Sequence, residues 1–145
     1  MTRYLLDTNV ISDATKPNPS AALVSWLDEQ TDSDLFISTL TLAEIQRGIL
    51  EKEPGRKRRE LEAWFAGPEG PQALFSGRIL PFDERAAIRW AEIMVEGTRS
   101  GRPRSALDMM IAATAVTHGC VLVTMNERHF RDCVEFINPL NGANR

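Results

Sequence analysis

Short apolar runs alternate with amphipathic segments along the whole chain, and this alternation constrains the fold more than any other feature. Strands are predicted at residues 4–6, 35–38, 78–80, 121–123 and 135–137. Strands that are this short and apolar, and that are separated by helices, are typical of a parallel sheet covered on both faces. The pattern therefore predicts an α/β fold.

The segments between the predicted strands carry helical periodicity. Helices are predicted over residues 10–14, 20–27, 41–49, 56–65, 83–94 and 105–118. The last of these is apolar on nearly all sides, which predicts that it is buried. Residues 97–103 are predicted to form a polar loop. The sequence shows no internal repeat, no low-complexity segment and no sign of a second domain, so residues 1–145 are predicted to form a single domain.

Composition narrows the classes of function. The formal net charge is −3 and 43% of the residues are hydrophobic, which is typical of a soluble domain and argues against a generic nucleic-acid coat protein. Any nucleic-acid contact must therefore come from local basic clusters. The longest apolar runs fall far short of the ~18 residues of a membrane span. The first apolar run meets Asp7 too soon for a secretory signal, so the predicted location is the cytoplasm.

Three acids lie at comparable places in the alternation. Asp7 directly follows the first strand, and Glu44 lies in the first turn of the helix after the second strand. Both are expected at the sheet edge where the carboxyl ends of parallel strands meet. Asp108 lies at the start of the buried helix, and periodicity alone does not place it at that edge. Each acid also has a capping interpretation, because Thr41-x-x-Glu44 and Ser105-x-x-Asp108 match the capping-box pattern.

The two interpretations differ in what they require of the three carboxylates. A cluster of them is costly, since two charges 4 Å apart repel by about 4 kcal/mol at an effective dielectric near 20. A bound divalent cation removes that cost, and Mg²⁺ is typically held by one or two carboxylates. Capping and metal binding are therefore compatible roles for the same residues.

The motifs that hold these acids resemble those of a known family. In order along the chain they are LLDTNVIS, TLAEIQRG, LPFD, and GRP followed by DMMIAATAVTHG, LVT, an Asn and a Phe. This ordered set resembles PIN-domain nucleases, and in particular the VapC toxins of toxin–antitoxin pairs, including the FitB-like subgroup. The resemblance implies a three-layer α/β/α sandwich with a parallel sheet of about five strands. It also implies a Mg²⁺- or Mn²⁺-dependent ribonuclease whose metal ligands are Asp7, Glu44 and Asp108.

The chain departs from the family pattern at the fourth acidic position. Asn126 stands where an Asp is found in many relatives, and His129 stands where several have Asp. Asn126 is predicted to offer an oxygen to the metal or to position a water molecule. For His129 a loop or capping role is favoured over a contact with phosphate.

Several neighbouring polar residues are predicted to support the acids. Thr8, Asn9 and Thr124 are expected to hydrogen-bond the carboxylates or the attacking water. Asp13 is interpreted as an exposed helix acid, and Asp83 as the N-cap of its helix.

The resemblance and the basic residues together suggest partners. Arg47, Arg102 and Arg104 are predicted to contact the phosphates of an RNA substrate, whereas residues 56–59 are interpreted as a solvated helix face. The resemblance implies a homodimer neutralised by a VapB-like antitoxin, in a heterotetramer or larger complex that binds DNA only through the antitoxin. Aromatic and apolar residues on two helices are candidates for the antitoxin groove: Trp26, Leu27, Trp64 and Phe65.

Two alternatives stay open at this point. The first is a DNase or flap-type nuclease on the same fold, which would share the acids. The second is a catalytically weak partner of a DNA-binding antitoxin, which the missing fourth acid favours and the retained acids disfavour.

Overall fold

A five-stranded parallel sheet forms the centre of the described chain. The computed structural model describes the backbone of residues 1–144 and the side chains of residues 1–141. The strands lie in the order β3-β2-β1-β4-β5, and every neighbouring pair is parallel. Their bounds are β1 Tyr4–Leu6, β2 Leu35–Ser38, β3 Ile79–Leu80, β4 Val121–Val123 and β5 Phe136–Ile137.

The helices connect these strands and account for most of the remaining chain. They are α1 Thr8–Ala14, α2 Ala21–Asp28, α3 Thr39–Leu50, α4 Arg56–Ala66, α5 Pro71–Leu74, α6 Glu84–Arg99, α7 Ala106–Thr117 and α8 Glu127–Phe130. Short 3₁₀ turns lie at Asp32–Asp34 and Pro139–Asn144. No helix within the described residues is both long and apolar enough to cross a membrane.

Alternating strand residues build two cores, one on each face of the sheet. Leu5 and Leu122 point to the face covered by α6 and α7. Leu6 and Val123, their neighbours in sequence, point to the opposite face, which is covered by α1, α2 and α3. Successive strand side chains point to opposite faces, so apolar residues throughout a strand require helices on both sides. The predicted three-layer sandwich is confirmed.

The buried character of α7 is also confirmed. Its buried residues run almost continuously along the middle of the helix, from Met109 to Ala115. The helix ends at Thr117, and Gly119, two residues later, has a φ of 70°, the left-handed conformation that glycine adopts at low cost.

The structure differs from the sequence predictions at three places. The predicted polar loop over 97–103 begins too early, because α6 continues to Arg99. Two short helices, α5 and α8, were not predicted, since each has four residues and too little periodicity to be recognised.

Candidate active site

The acids predicted from sequence meet at the point where the sheet order reverses. From β1 the chain builds outward through β2 to β3 on one side, and it later returns to place β4 and β5 on the other. Asp7 follows β1, and Thr124 to Asn126 follow β4, the strand paired with β1. Ligands in open α/β sheets bind at the carboxyl ends of strands at such a switch point. The topology therefore defines where a site is expected.

Asp7 lies at the bottom of this crevice and is almost fully buried. It is only 4% exposed, and its carboxylate accepts hydrogen bonds from the Thr8 backbone N–H (2.8 Å) and from the Thr124 hydroxyl (2.8 Å). Asp7 is thus the N-cap of α1, and the capping interpretation is correct as a local description. Burial is the main cause of a pKa of about 6 for Asp7; the charges of Asp108 and Glu44 act in the same direction, and the two hydrogen bonds act against it.

Glu44 enters the crevice from α3. Ser38 at the end of β2 caps this helix by accepting from the Thr41 backbone N–H. The predicted capping box is therefore wrong: Thr41 lies inside the first turn, and its hydroxyl is 3.0 Å from that of Thr8. The Thr8 hydroxyl donates to Oε1 of Glu44. The side chain of Glu44 is consequently bound to α1 rather than to its own helix start.

Asp108 enters from α7, and here the predicted capping box is formed only in its Ser105 half. Ser105 is the N-cap and accepts from the Asp108 backbone N–H at 3.2 Å. The Asp108 carboxylate, however, faces α8, where its Oδ2 is 2.7 Å from Nδ1 of His129. His129 lies within α8 and is bound to a predicted metal ligand, so the loop or capping interpretation of His129 is wrong. Sequence spacing offers no signal for a contact between residues on separate helices.

One cavity of about 490 Å³ brings the predicted residues together. Of the residues predicted to be catalytic or supporting, it is lined by Asp7, Glu44, Asp108, Asn126, Thr8 and Asn9. Thr124 lies just beneath, fully buried, and it contacts both Asp7 and the Asn126 backbone N–H. The geometry thus groups the predicted residues, while their catalytic roles remain predictions.

Four further residues line this cavity that sequence reasoning did not assign to it: Ser12, Asp13, Lys16 and Met125. The exposed interpretation of Asp13 is wrong: the residue is 8% exposed, binds Nζ of Lys16 at 2.6 Å and accepts from the Ser20 backbone N–H at 3.0 Å. These contacts lower the pKa of Asp13. Asp13 lies at the end of α1 and Lys16 just beyond it, so their three-residue spacing was the signal that would have indicated the pair.

The donor set suits a divalent cation only after side-chain rearrangement. Among residues 1–141, no three His, Cys, Asp or Glu side chains stand in a metal-binding arrangement. Glu44 is bound by Thr8 and Asp108 by His129, which explains why the carboxylates do not converge. Their chemistry nevertheless fits a cation, because a carboxylate whose pKa is raised by burial, and to a lesser extent by two other carboxylates, is stabilised by an added positive charge.

The arginines predicted to contact substrate lie in different surroundings. Arg47 is 76% exposed and pairs with Glu51 on its own helix. Arg104 is only 14% exposed, and its Nη1 donates to the Ile93 carbonyl at 2.8 Å. Arg102 is exposed and lies 3.3 Å from Asp132. Of the three, Arg102 and Arg104 line a pocket beside the acidic cavity, and Arg47 lines none of the cavities described here for residues 1–141.

The fold and the acid-lined switch point agree with a family assignment. The PIN domain family profile matches residues 4–134, which is most of the chain. The chain belongs to the PIN-domain family.

Individual relatives align over nearly their full lengths. VapC ribonuclease Y4jK of Sinorhizobium fredii is 35% identical over 140 residues, covering 96% of this chain and 99% of the relative. Toxin FitB of Neisseria gonorrhoeae is 38% identical over 126 residues, covering 87% and 89%. The solved structure of FitAB bound to an IR36 DNA fragment has a TM-score of 0.85 at 36% identity, covering 94% of each chain.

Proposed function

We propose that this chain is a metal-dependent endoribonuclease that acts as the toxin of a toxin–antitoxin pair in the cytoplasm. The observation that carries the proposal is the cavity at the switch point that is lined by Asp7, Glu44 and Asp108. Nucleases of the PIN family are metal-dependent in general, and the full-length relatives include a VapC ribonuclease and the toxin FitB.

Asp7, Glu44 and Asp108 would hold the cation, which we propose is Mg²⁺ or Mn²⁺. The chemistry that such an ion supplies when bound is activation of water and neutralisation of charge on a phosphodiester. A bound cation would stabilise the negative charge of Asp7 the most, because Asp7 is the most deeply buried of the three carboxylates. Oxygen ligands from carboxylates are those that both ions prefer.

The surrounding residues position these carboxylates. Thr124 and the Thr8 backbone N–H fix the two oxygens of Asp7, and the Thr8 hydroxyl holds Glu44. Asn9 accepts from the Met125 backbone N–H at 3.3 Å, and its Nδ2 lies 3.4 Å from Thr124, so it joins α1 to the segment after β4. Asn126 offers the cavity an uncharged amide, and we propose that it orients substrate or water where an acid would add charge.

An antitoxin segment is the proposed protein partner. A groove of about 480 Å³ between α1, α3 and α4 is continuous with the acidic cavity, with which it shares Thr8 and Glu44. Trp64 and Leu61 of α4 form part of its apolar wall. Trp26, also a candidate, instead packs edge-on against Tyr4 in the core, with 5.1 Å between ring centroids. An acidic cavity at the end of an apolar groove suits a segment that carries an arginine, since guanidinium binds carboxylates bidentately. DNA would then be contacted only through the antitoxin.

A second copy of the chain is the other proposed partner, with α6 as the contact. Ile88 and Val95 are 66% and 46% exposed and lie on one face of this helix. If two copies of α6 pack antiparallel about a two-fold axis between residues 91 and 92, Ile88 faces Val95 of the other copy. Glu84 then faces Arg99 of the other copy, an attraction between opposite charges. The face is therefore self-complementary, as a two-fold interface requires.

The decisive experiment compares two acids with the same local role. Asp7 caps α1 and Asp83 caps α6, where it accepts from the Ala86 backbone N–H at 3.0 Å, but Asp83 does not line the acidic cavity. We expect purified wild-type protein to cleave cellular RNA when Mg²⁺ or Mn²⁺ is added. Asp7→Asn should abolish cleavage, and Asp83→Asn should retain it.

Three results would argue against the proposal. Cleavage that survives Asp7→Asn would exclude the carboxylate mechanism. Cleavage of single-stranded DNA but not RNA would favour the DNase alternative. Growth arrest on expression that is equal for wild type and Asp7→Asn would favour the catalytically weak partner. Sequencing of the cleavage sites after induction would then identify the RNA.

A further inference from the structure

A basic pocket lies beside the acidic cavity. It has a volume of about 420 Å³ and is formed by the segment before α7 and by α8 with the residue after it. Its lining residues are Arg102, Pro103, Arg104, Ser105, Arg128, His129 and Arg131. Four arginines around one pocket stand out in a chain whose formal net charge is −3.

The positive charge of this pocket is only partly neutralised. Arg102 meets Asp132 at 3.3 Å between two exposed groups, and the exposed Arg131 meets the partly buried Glu127 at 3.8 Å. Within residues 1–141, the Arg128 guanidinium makes no ion pair. Exposed pairs at these distances are weak and exchange readily with another anion. The pocket therefore presents guanidinium groups that an incoming anion can bind.

The basic pocket is connected to the acidic cavity by a continuous track around α8. A middle cavity of about 310 Å³ shares Met125 and Asn126 with the acidic cavity, and it shares Arg128, His129 and Arg131 with the basic pocket. The bond from His129 to Asp108 marks the boundary between the two charge types. A polyanion with one negative charge per repeating unit could place one unit in the acidic cavity, and the charges of its neighbouring units would then lie over the arginines of the basic pocket.

We infer that this basic pocket, with Arg102, Arg128 and Arg131 as ligands, binds backbone phosphates of the RNA strand that flank the phosphodiester to be cleaved. The inference rests on the proposed function. Phosphate contacts by arginine supply affinity and register without reading base identity. The pocket therefore positions the strand, and it adds a cationic segment to a site that would otherwise repel a polyanion.

Binding without cleavage tests the pocket separately from the chemistry. The probe is a fluorescein-labelled 2′-O-methyl oligouridylate, its anisotropy measured in EDTA over a series of salt concentrations. Each lost contact with a single strand lowers the slope of log K against log salt by about 0.7. We expect Arg128→Gln combined with Arg131→Gln to lower that slope by about 1.4 and to weaken binding roughly 10- to 30-fold at ~0.1 M salt.

Two variants serve as matched controls. Arg56→Gln combined with Arg59→Gln removes the same charge from exposed positions on α4, which lie outside the pocket, and should change binding little. Asp132→Asn removes the acid that competes for Arg102, and asparagine tolerates the φ of 69° at this position. This variant should bind the oligonucleotide a few-fold more tightly.

Equal losses in the α4 and α8 double variants would overturn the inference, because the effect would then come from net charge. Unchanged affinity in the α8 variant would also overturn it. If a labelled polyglutamate peptide binds wild type as tightly as the oligonucleotide and loses as much affinity in the variant, the pocket is a protein-binding site and the RNA assignment fails. The nuclease proposal is decided independently by the cleavage assay with Asp7→Asn, in which the α8 variant should keep metal-dependent activity with a raised KM.

Discussion

Replacing Asp7 by asparagine should make the metal-free protein more stable at neutral pH. The substitution keeps a side chain that can accept from the Thr8 backbone N–H and contact the Thr124 hydroxyl. It removes a negative charge that is 4% exposed and that lies near the charges of Asp108 and Glu44. The relief of desolvation and repulsion should exceed any loss in the strength of the two hydrogen bonds.

The pH dependence follows from the raised pKa. The carboxyl titrates at 3.8 when unperturbed and at about 6 in the native state. Between these values the native state binds a proton that the unfolded state has released, so the free energy of unfolding falls as pH rises from about 4 to about 6. Above about pH 6 Asp7 is charged in both states, and the free energy of unfolding falls no further on account of this group. At pH 4 and below, Asp7 is protonated in the native state and carries no penalty.

The magnitude follows from the same two values. A shift of about 2 pKa units corresponds to about 3 kcal/mol at 1.36 kcal/mol per unit. We therefore expect Asp7→Asn to stabilise the metal-free protein by about 2 to 3 kcal/mol at pH 7.5, or roughly 5 to 10 °C in Tm. The gain should vanish near pH 4.

Thermal melts in EDTA at several pH values measure this effect, with Asp83→Asn as the control. The Ala86 backbone N–H and His118 hold the pKa of Asp83 below its usual range. The stability that the Asp83 carboxylate contributes is therefore present at neutral pH and lost in acid, and Asp83→Asn should lower Tm at pH 7.5. Two helix-capping acids should thus respond to the same substitution with opposite signs.

A lower Tm for Asp7→Asn at pH 7.5, with a similar deficit at pH 4, would refute this reasoning. Asp7 would then act chiefly as a cap whose hydrogen bonds outweigh its burial. Added Mg²⁺ or Mn²⁺ provides a second check, because a ligand that binds only the native state raises Tm by mass action. The metal should raise the Tm of the wild-type protein, and it should raise the Tm of Asp7→Asn much less.

Packing and assembly yield three further expectations. A Cβ added at Gly97 would lie 2.9 Å from Cδ of Arg104, so Gly97→Ala should cost about 1 to 3 kcal/mol in urea denaturation. Nothing lies within 4 Å of a Cβ at Gly48, which is exposed inside α3, so Gly48→Ala should stabilise by about 0.5 to 1 kcal/mol in the same assay. If α6 forms the two-fold contact, Glu84→Arg should weaken the dimer in sedimentation experiments, and adding Arg99→Glu should restore it. Failure of the second change to restore the dimer would exclude this pairing.

Local interactions account for most of what was predictable about the site. Asp7 immediately follows an apolar strand, and Ser105 and Asp83 precede helices by one residue, so their capping hydrogen bonds span three residues or fewer. Such contacts are set by nearby backbone geometry. The cap of α3 was predicted at the wrong residue. Ser38, the last residue of β2, caps this helix in place of Thr41, and the Thr41-x-x-Glu44 sequence matched the capping-box pattern by coincidence.

Contacts between distant segments were not predictable in the same way. The bond between Asp108 and His129 joins α7 to α8 across β4, and α8 itself is too short to show periodicity. The burial of Asp13 depends on how the segment after α1 folds back, so that Ser20 donates to its carboxylate. The basic pocket likewise combines residues that precede α7 with residues of α8.

The amino-acid sequence determined by itself that this chain is a parallel α/β protein with Asp7 and Glu44 at the carboxyl ends of its strands. It did so because strand and helix periodicities reflect burial along one element at a time. Only the tertiary structure decided which carboxylates share a cavity, which are bound by Thr8 or His129, and that a basic pocket adjoins them. Those properties depend on distances through space between separate elements, and desolvation and Coulomb energies follow such distances rather than separation along the chain.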